Sequence, residues 1–300
     1  MKGTGMVRRK GRKITALDVV VSLFLLSAIA YVGYRIKVGL DYHWSWGAIP
    51  QYFWRYDEEG GGWVTNILIQ GLLTTIRLSV WGTLLATIVG VAAGLCRVSH
   101  SLFNRLVGRV YVEFTRNMPP LVFILIFYYF VSDQIIPLLG LDDFIFCRPQ
   151  YARWLCGVFF SSPALFSAFV SALLSLSLFE GAYIAEIVRA GIQSIDRGQW
   201  EAAHALGLSR WQQLRHVILP QALRRILPPL AGQFISIVKD SSIVSVISIQ
   251  ELTFQATQLM ASTYFTFEIW VTVTALYLAM TLTLSLLVSR LETRLAAGRI

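Results

Sequence analysis

The sequence predicts an all-α integral membrane protein with six transmembrane helices. Of its 300 residues, 55% are hydrophobic and only 14% are charged, whereas a soluble domain has roughly a quarter charged residues. Apolar runs recur at about the 20 residues that a helix needs to cross a bilayer. The runs are Ile14–Ile36, Leu78–Leu95, Pro119–Val131 continuing into Ile135–Leu141, Val158–Phe179, Ile226–Val238 continuing past Lys239 and Asp240 into Ile243–Ile249, and Ile269–Val288.

Positive charge is distributed unevenly among the predicted loops, and this sets the expected orientation. Most of the 26 Lys and Arg residues lie in the N-terminal tail, the C-terminus and alternate loops. Loops rich in Lys and Arg stay on the cytoplasmic side. Both termini are therefore predicted inside, with 38–65, 132–157 and 250–266 outside. This pattern assigns the net charge of +9 to orientation rather than to nucleic-acid binding.

The first apolar run resembles a signal peptide in having a basic segment before it. It is longer than the usual apolar core of such a peptide, and no A-x-A cleavage pattern follows. We therefore expect a retained anchor helix. The segment after it, residues 38–65, carries four tryptophans, which suit a membrane interface, and Gly60-Gly61-Gly62 is expected to form a flexible joint.

The second predicted span has small residues on one face. Gly82, Ala86, Gly90 and Gly94 recur every fourth residue, so that a neighbouring helix can approach closely. A parallel polar stripe consists of Thr75, Ser79, Thr83 and Thr87. This stripe serves either hydrogen bonding between helices or the lining of a translocation path.

Residues 198–220 are predicted to form two short amphipathic helices joined by a bend. Gly207 suits a helix end, where a left-handed residue is tolerated. Ser209 with Gln212 forms a capping-box pattern, and Pro220 is expected to stop the second helix.

This segment resembles the EAA loop of ABC importer permeases, E-A-A-x3-G-x9-I-x-L-P. The matching residues are Glu201, Ala202, Ala203, Gly207, Leu219 and Pro220, with Val217 in place of Ile. Further stretches are similar to polar-amino-acid permeases of the histidine/glutamine/arginine type. They are Thr74–Ser79, Ala182–Ile192, Lys239–Ser242 and Ser245–Ile247. The likeness covers 66–295, which leaves the tail, the extra first helix and the linker at 1–65 outside it.

The resemblance implies a five-helix type I permease core and a role in binding-protein-dependent import of polar amino acids across a bacterial inner membrane. It implies a second permease subunit, identical or homologous, two ATPase subunits that dock on the EAA loop, and a periplasmic binding protein. ATP and Mg would be bound by the ATPase partners, and no cofactor by this chain. The sequence accordingly has no G-x-x-x-x-G-K-[ST] loop. The alternative is a secondary transporter or channel that is driven by an ion gradient.

Ionisable residues within spans are costly and call for partners or a function. Glu180 is expected either to contact a substrate cation or to pair with a neighbour such as Lys239. Glu186 and Arg189 are expected to pair on one helix face. Lys239 and Asp240 interrupt a span and form either a transport site or an ion pair. The candidate substrate path consists of Glu180, Tyr183, Lys239, Asp240, Ser241 and Ser242.

Catalytic and metal-binding roles find little support in the sequence. The four histidines lie in predicted loops, and no Ser/His, Asp/Asp or zinc constellation falls within a span, so the chain is not expected to be an enzyme. Cys147 and Cys156 share a predicted outer loop. They either form a disulfide, as an oxidising periplasm permits, or remain free thiols.

Overall fold

The computed structural model describes residues 16–39, 42–58, 61–140 and 149–296. The chain forms two compact units that divide between Ser45 and Trp46. The first unit contains α1, Ala16–Gly39, whose apolar side chains such as Leu17 and Phe24 are exposed. A long, uniformly apolar helix of this kind suits a lipid environment.

The second unit begins with a small hairpin that the sequence analysis did not predict. Two short 3-10 turns, Trp46–Ala48 and Pro50–Tyr52, lead into strands β1, Trp54–Asp57, and β2, Gly62–Thr65, which pair antiparallel. Gly61 adopts a positive φ of 64° in the turn between them, a conformation that glycine reaches without steric cost. Gly61 and Gly62 of the predicted flexible joint are therefore part of a structured hairpin, and Gly60 lies outside the described residues.

The centre of the second unit is a close pair of long helices, α2 (Ile67–Val98) and α7 (Phe166–Gln193). A Cβ added to Gly90 would lie 2.5 Å from Ile184, and one added to Gly94 would lie 2.7 Å from Val188. The predicted small-residue face of α2 is thus confirmed as a packing face. Because contacts advance along both helices in the same direction, α2 and α7 run parallel.

The polar stripe of α2 divides between two kinds of hydrogen bond. Ser79 Oγ and Thr83 Oγ1 each donate to a carbonyl oxygen one turn earlier in α2, at 2.7 Å. Thr75 instead bonds across to another helix, as described below. The interhelical interpretation therefore holds for Thr75, whereas Ser79 and Thr83 bond within their own helix.

Helices α3 (Leu102–Asn117) and α4 (Pro120–Phe130) meet at a bend of 116°. The bend falls at Pro119-Pro120, because a residue before proline is disfavoured in the α conformation. After α4 the chain continues through a π-helical segment, Val131–Ile135, into α5, Ile136–Leu139.

The predicted span Val158–Phe179 is wrong in its boundaries. Helix α6 covers Gln150–Phe159, a short 3-10 turn covers Pro163–Leu165, and α7 starts only at Phe166. Pro163 interrupts the apolar run, since it has no N–H to donate to a preceding turn. The span therefore shifts toward the C-terminus and contains Glu180 and Glu186 well inside a helix.

The second helix of the EAA segment does not stop at Pro220, which corrects the sequence prediction. Helix α8 covers Arg197–Ala205; α9, Arg210–Gln212, then passes through π-helical Gln213–Ile218 into α10, Leu219–Asp240. Pro220 falls in the first turn of α10, directly after this wider π turn, where it is tolerated. Only α8 is a separate short helix, and α9 is continuous with a membrane-length helix.

The last helices, α11 (Leu252–Thr263) and α12 (Thr266–Ala296), follow a 3-10 segment, Ser241–Ile247. The carboxyl group of Glu251 joins three helices. It accepts hydrogen bonds from the Phe254 N–H at 2.7 Å, the Tyr277 hydroxyl at 2.8 Å and the Thr75 hydroxyl at 3.4 Å. The Thr75 hydroxyl in turn accepts from the Leu252 N–H at 3.1 Å, so this end of the bundle is fastened by a connected polar network.

Among the described residues, five helices are long and apolar enough to cross a membrane, and the bent pair α3–α4 would make a sixth. The count of six spans therefore stays a prediction, while the mostly helical membrane fold is established.

Candidate functional site

Glu180 lies on α7 and is fully buried against α10. Its Oε2 accepts a 2.6 Å hydrogen bond from Gln233 Nε2. Its Oε1 accepts no hydrogen bond from an N–H or hydroxyl donor in the described part of the chain, but Asp240 lies close enough for the two carboxyl groups to share a proton. The partner is thus Gln233 rather than Lys239, whose side chain is exposed. A buried carboxyl oxygen is energetically costly unless a proton or a ligand satisfies it, so Glu180 and Asp240 together form the candidate ligand site.

Asp240, the last residue of α10, is an electrostatic neighbour of both Glu180 and Lys239. Two carboxyl groups so placed repel each other when both are ionised. A single amide from Gln233 supplies no positive charge to offset them. The pair is therefore suited to a cationic group.

The two serines after Asp240 hold the end of α10. Ser241 Oγ donates to the Val238 carbonyl at 2.8 Å, and Ser242 Oγ donates to the Lys239 carbonyl at 2.7 Å. These bonds satisfy acceptors that a helix end leaves open. The structure thus gives both hydroxyls a local role, although each hydroxyl oxygen can still accept a hydrogen bond.

A cavity of about 550 Å³ reaches this cluster at Gln233. Tyr183 and Arg116 line it, and the Arg116 guanidinium lies over the Tyr183 ring at 5.3 Å, within cation–π range. Glu180 and Tyr183 are therefore linked by one polar region, together with Gln233 and Arg116, which the sequence analysis did not select. Gln233 lies two helical turns before Asp240, and this spacing is a signal that could have identified it.

Glu186 has a different environment from Glu180. It pairs with Arg189 on its own helix, as predicted, and also with Arg97 at the end of α2. Two guanidinium groups more than balance one carboxylate. The cluster therefore ties α2 to α7 and leaves Glu186 fully paired, with no negative charge free for a cationic ligand.

The EAA segment begins with a well-capped helix. Asp196 caps α8 by accepting from the Gly198 N–H at 2.7 Å. After α8, the Gly207 N–H bonds the His204 carbonyl and the Leu208 N–H bonds the Ala203 carbonyl. With φ of +74° at Gly207, this is a Schellman motif, which explains the glycine.

The turn that follows is equally well defined. The Ser209 N–H donates to Gln212 Oε1 at 2.8 Å, and Ser209 Oγ accepts from the Gln212 N–H at 3.4 Å, so the expected capping box is present. Adjacent caps on α8 and α9 leave little freedom between them. The bend is a rigid structure rather than a loop.

Residues of the EAA motif differ in exposure. Glu201, Ala202 and Gly207 are exposed, together with the large apolar side chains of Leu206 and Trp211, which are 79% and 63% exposed. Ala203 is buried, and Leu219 and Pro220 lie at the start of α10. The motif therefore combines an exposed, partly apolar surface with residues that fix it to the bundle.

One of the two loop cysteines lies in the described part of the chain. Cys147 lies outside the described residues, and Cys156 is half-buried on α6. A disulfide between them stays a prediction.

The known proteins that this chain resembles are membrane components of transport systems. Residues 63–298 match the family described as binding-protein-dependent transport system inner membrane component. The glutamine transport system permease protein GlnP of Escherichia coli K12 is 34% identical over 258 residues, which are 85% of this chain and 99% of that protein. The probable glutamine ABC transporter permease protein GlnM of Bacillus subtilis is 32% identical, covering 77% of this chain and 94% of that one.

Solved structures show the same likeness. A crystal structure of an amino acid ABC transporter with histidines is 36% identical, with a TM-score of 0.60 over 76% of this chain and 94% of that one. The MetNI methionine ABC transporter, in an inward-facing form, has a TM-score of 0.59 at 17% identity and 76% coverage of this chain. The second likeness concerns the fold alone.

Proposed function

Since the chain belongs to the family of binding-protein-dependent transport system inner membrane components and is a permease subunit of an ABC amino acid importer, we propose that it transports polar amino acids. Relatives are named for glutamine transport, and one related structure is titled with histidines. The observation that carries the proposal is the buried Glu180 carboxyl, with one oxygen lacking a donor. It is suited to an ammonium or another cationic group of a substrate.

The proposed substrate path includes the two carboxyl groups, the adjoining cavity and the end of α10. Glu180 and Asp240 would hold the cationic part of the substrate, because opposite charges compensate one another in a site that excludes water. Tyr183 lines the adjoining cavity. Lys239, Ser241 and Ser242 would contribute at the end of α10, where the α-helix gives way to a 3-10 segment, since broken helices expose backbone groups at transport sites.

Permeases of ABC importers work with ATPase subunits, which use ATP, and with substrate-binding proteins. We propose two ATPase subunits, a second permease subunit, identical or homologous, and a periplasmic binding protein. The chain is an inner-membrane component with several apolar helices. Both termini and the EAA segment are proposed to face the cytoplasm, as the charge distribution predicts.

The EAA segment is proposed to transmit motion from the ATPase. Glu201, Ala202 and Gly207 are exposed beside Leu206 and Trp211, which supports a contact surface for a partner. Ala203 would anchor this surface from beneath. Leu219 and Pro220 would pass its motion to α10, because α9 and α10 are continuous through the π-helical turn.

The proposal is tested with the purified importer in proteoliposomes, together with its binding protein. Uptake of labelled glutamine should require hydrolysable ATP inside the ATPase-facing compartment and should persist when ion gradients are dissipated. Arginine and glutamate are measured in parallel to define the substrate range. Uptake that follows an ion gradient without ATP, or no uptake of any polar amino acid, would contradict the proposal.

A further inference from the structure

A second cavity, of about 680 Å³, lies at the end of the bundle where α2 and α7 begin. Most of its polar lining is uncharged. The polar side chains of the lining include Gln70, Thr74 and Arg77 from α2, Ser161 and Ser162 from the turn before α7, and Gln255 from α11. No Asp or Glu lines this cavity among the residues that the structure describes.

Arg77 is the only charged group in that lining, and it has no carboxylate partner. Among the described residues no carboxylate forms an ion pair with Arg77, whereas Arg97, Arg109 and Arg189 each have one. Arg77 lies about 15 Å along α2 from its start, at a rise of 1.5 Å per residue. The Arg77 side chain is half-buried, so its guanidinium is partly desolvated and has no counter-charge. Its position is explained if an anion occupies the cavity during the working cycle.

The surroundings of Glu186 show how this fold pairs an ionised side chain with opposite charges. There, one carboxylate is paired with Arg97 and Arg189. Arg77 instead shares the cavity with Ser161, Ser162 and Gln255, whose side chains can donate hydrogen bonds to the same anion. The Thr74 hydroxyl already donates to the Gln70 carbonyl at 3.0 Å. A guanidinium binds a carboxylate with two parallel hydrogen bonds, a geometry that an ammonium cannot provide.

This cavity is separate from the Glu180 cluster. In the parallel α2–α7 pair, Gly82 faces Leu173 and Leu176, whereas Gly90 faces Gly181 and Ile184. Arg77 is therefore roughly 15 Å along the helix axis from the level of Glu180, at about 1.5 Å per residue. The two cavities share no lining residue among the described parts of the chain, so a ligand at Arg77 occupies a different position along the bundle.

We propose that this cavity is a capture site for the amino acid substrate, in which Arg77 binds the α-carboxylate before the substrate reaches Glu180. The inference rests on the proposed function, which makes a free amino acid the cargo. The end of α2 that carries Arg77 is the one that the charge pattern predicts outside, where substrate is delivered.

The test uses a single cysteine in the cavity of the complete importer. Thr74→Cys is introduced after Cys96, Cys147 and Cys156 are replaced by Ser, and the complex is placed in nanodiscs of zwitterionic lipid. Its modification is timed with an anionic and a cationic methanethiosulfonate reagent. The anionic reagent should react faster, and millimolar L-glutamine should slow the reaction, whereas L-glutaminamide, which lacks the carboxylate, should not.

Variants at Arg77 then separate charge from packing. Arg77→Gln should lose the preference for the anionic reagent by about tenfold, the size expected for a lost charged hydrogen bond, and should lose protection by glutamine. Arg77→Lys should keep the reagent preference. Arg109→Gln, which alters an exposed pair with Glu113, is the matched control and should behave like the parent.

Three results would overturn the inference. Equal protection by glutamine and glutaminamide, or none by either, would remove the carboxylate from the site. An Arg77 effect that appears only when phosphatidylglycerol is added would assign the anion to a lipid phosphate. Uptake by the wild-type importer in proteoliposomes remains normal in each of these three cases. Loss of that uptake would instead contradict the proposed function.

Discussion

Gln233 on α10 donates its side-chain amide to the buried carboxyl group of Glu180 on α7 across 2.6 Å. The contact satisfies one carboxyl oxygen and leaves the other without a donor in the described structure. It also joins the helix that packs on α2 to the helix that continues from the EAA segment. Chemistry at Glu180 and motion of α10 are therefore connected at one point.

The first prediction concerns charge at this point. Glu180→Gln should reduce uptake of arginine by about tenfold, because a charge-assisted hydrogen bond is lost, and should reduce uptake of glutamine less. Rates are compared for arginine, glutamine and glutamate in proteoliposomes. Glu113→Gln, in an exposed ion pair, is the control. Unchanged rates and preferences for all three amino acids would leave Glu180 a structural carboxyl.

The second prediction concerns coupling. Gly207→Val should leave the chain inserted but abolish stimulation of ATP hydrolysis by the liganded binding protein. Gly207 has φ of +74°, where a β-branched residue is strained, so that the bend must rearrange. Gly207→Asn is the control, since Asn tolerates this conformation, and it should remain coupled. A valine variant that transports at the wild-type rate would show that the bend is not the coupling element.

The third prediction concerns the α2–α7 interface. Gly90→Ala should lower the thermal midpoint of the purified protein, because its new Cβ would lie 2.5 Å from Ile184 and 2.9 Å from the Gly181 carbonyl. Overpacking of this kind costs about 1–3 kcal/mol. Gly232→Ala on α10 has open space around the new Cβ and should be neutral or stabilising, since Ala favours helix. Equal midpoints for both variants would contradict the prediction.

The fourth prediction concerns pH. Burial raises the pKa of Glu251 above its usual range, and the hydrogen bonds from Phe254, Tyr277 and Thr75 oppose this effect only in part. The folded state then binds the proton more tightly than the unfolded state, so stability should fall as pH rises above the unfolded pKa. Thermal midpoints between about pH 5 and about pH 8 test this.

Two variants test whether Glu251 causes this dependence of the thermal midpoint on pH. Glu251→Gln keeps the shape and the capacity for hydrogen bonds but cannot ionise, so its midpoint should depend less on pH than that of the wild type. Glu113→Gln on the exposed face of α3 should not change the slope. The same slope in the Glu251 variant would assign the pH dependence to other groups.

The fifth prediction concerns topology. Reporter domains fused after Gly62 and after Ser209 should report opposite compartments, with the first outside and the second in the cytoplasm. Alkaline phosphatase, active only outside, and green fluorescent protein, fluorescent only inside, give complementary readouts. The same compartment for both sites would refute the predicted orientation.

Local features of this fold were predictable from the sequence because they depend on neighbours in the chain. The capping box at Ser209 and the pair formed by Glu186 and Arg189 each lie within one turn, and the small-residue face of α2 repeats from one turn to the next. Helical periodicity and backbone hydrogen bonding are enough to derive them. The structure confirms all three.

Features that depend on the third dimension were not predictable in the same way. Hydropathy predicted a span that runs across Pro163. An average over about 20 residues does not register one residue that lacks a backbone N–H donor. Continuity past Pro220 requires a π-helical turn that no simple pattern indicates. Gln233 is 53 residues from Glu180 in the sequence, so their contact could be recognised only once α7 and α10 were packed together.

The close approaches of α7 to α2 and to α10 also limit how this sequence can evolve. At Gly90, Gly94 and Gly191 a side chain would occupy space already filled by Ile184, Val188 and Ile226 respectively. At each of these contacts the glycine position and its neighbour share the same volume. One of the two side chains can therefore become larger only if the other becomes smaller. Substitutions should then be inherited in pairs, so that 90 with 184, 94 with 188 and 191 with 226 covary among homologues, while Gly232 drifts independently.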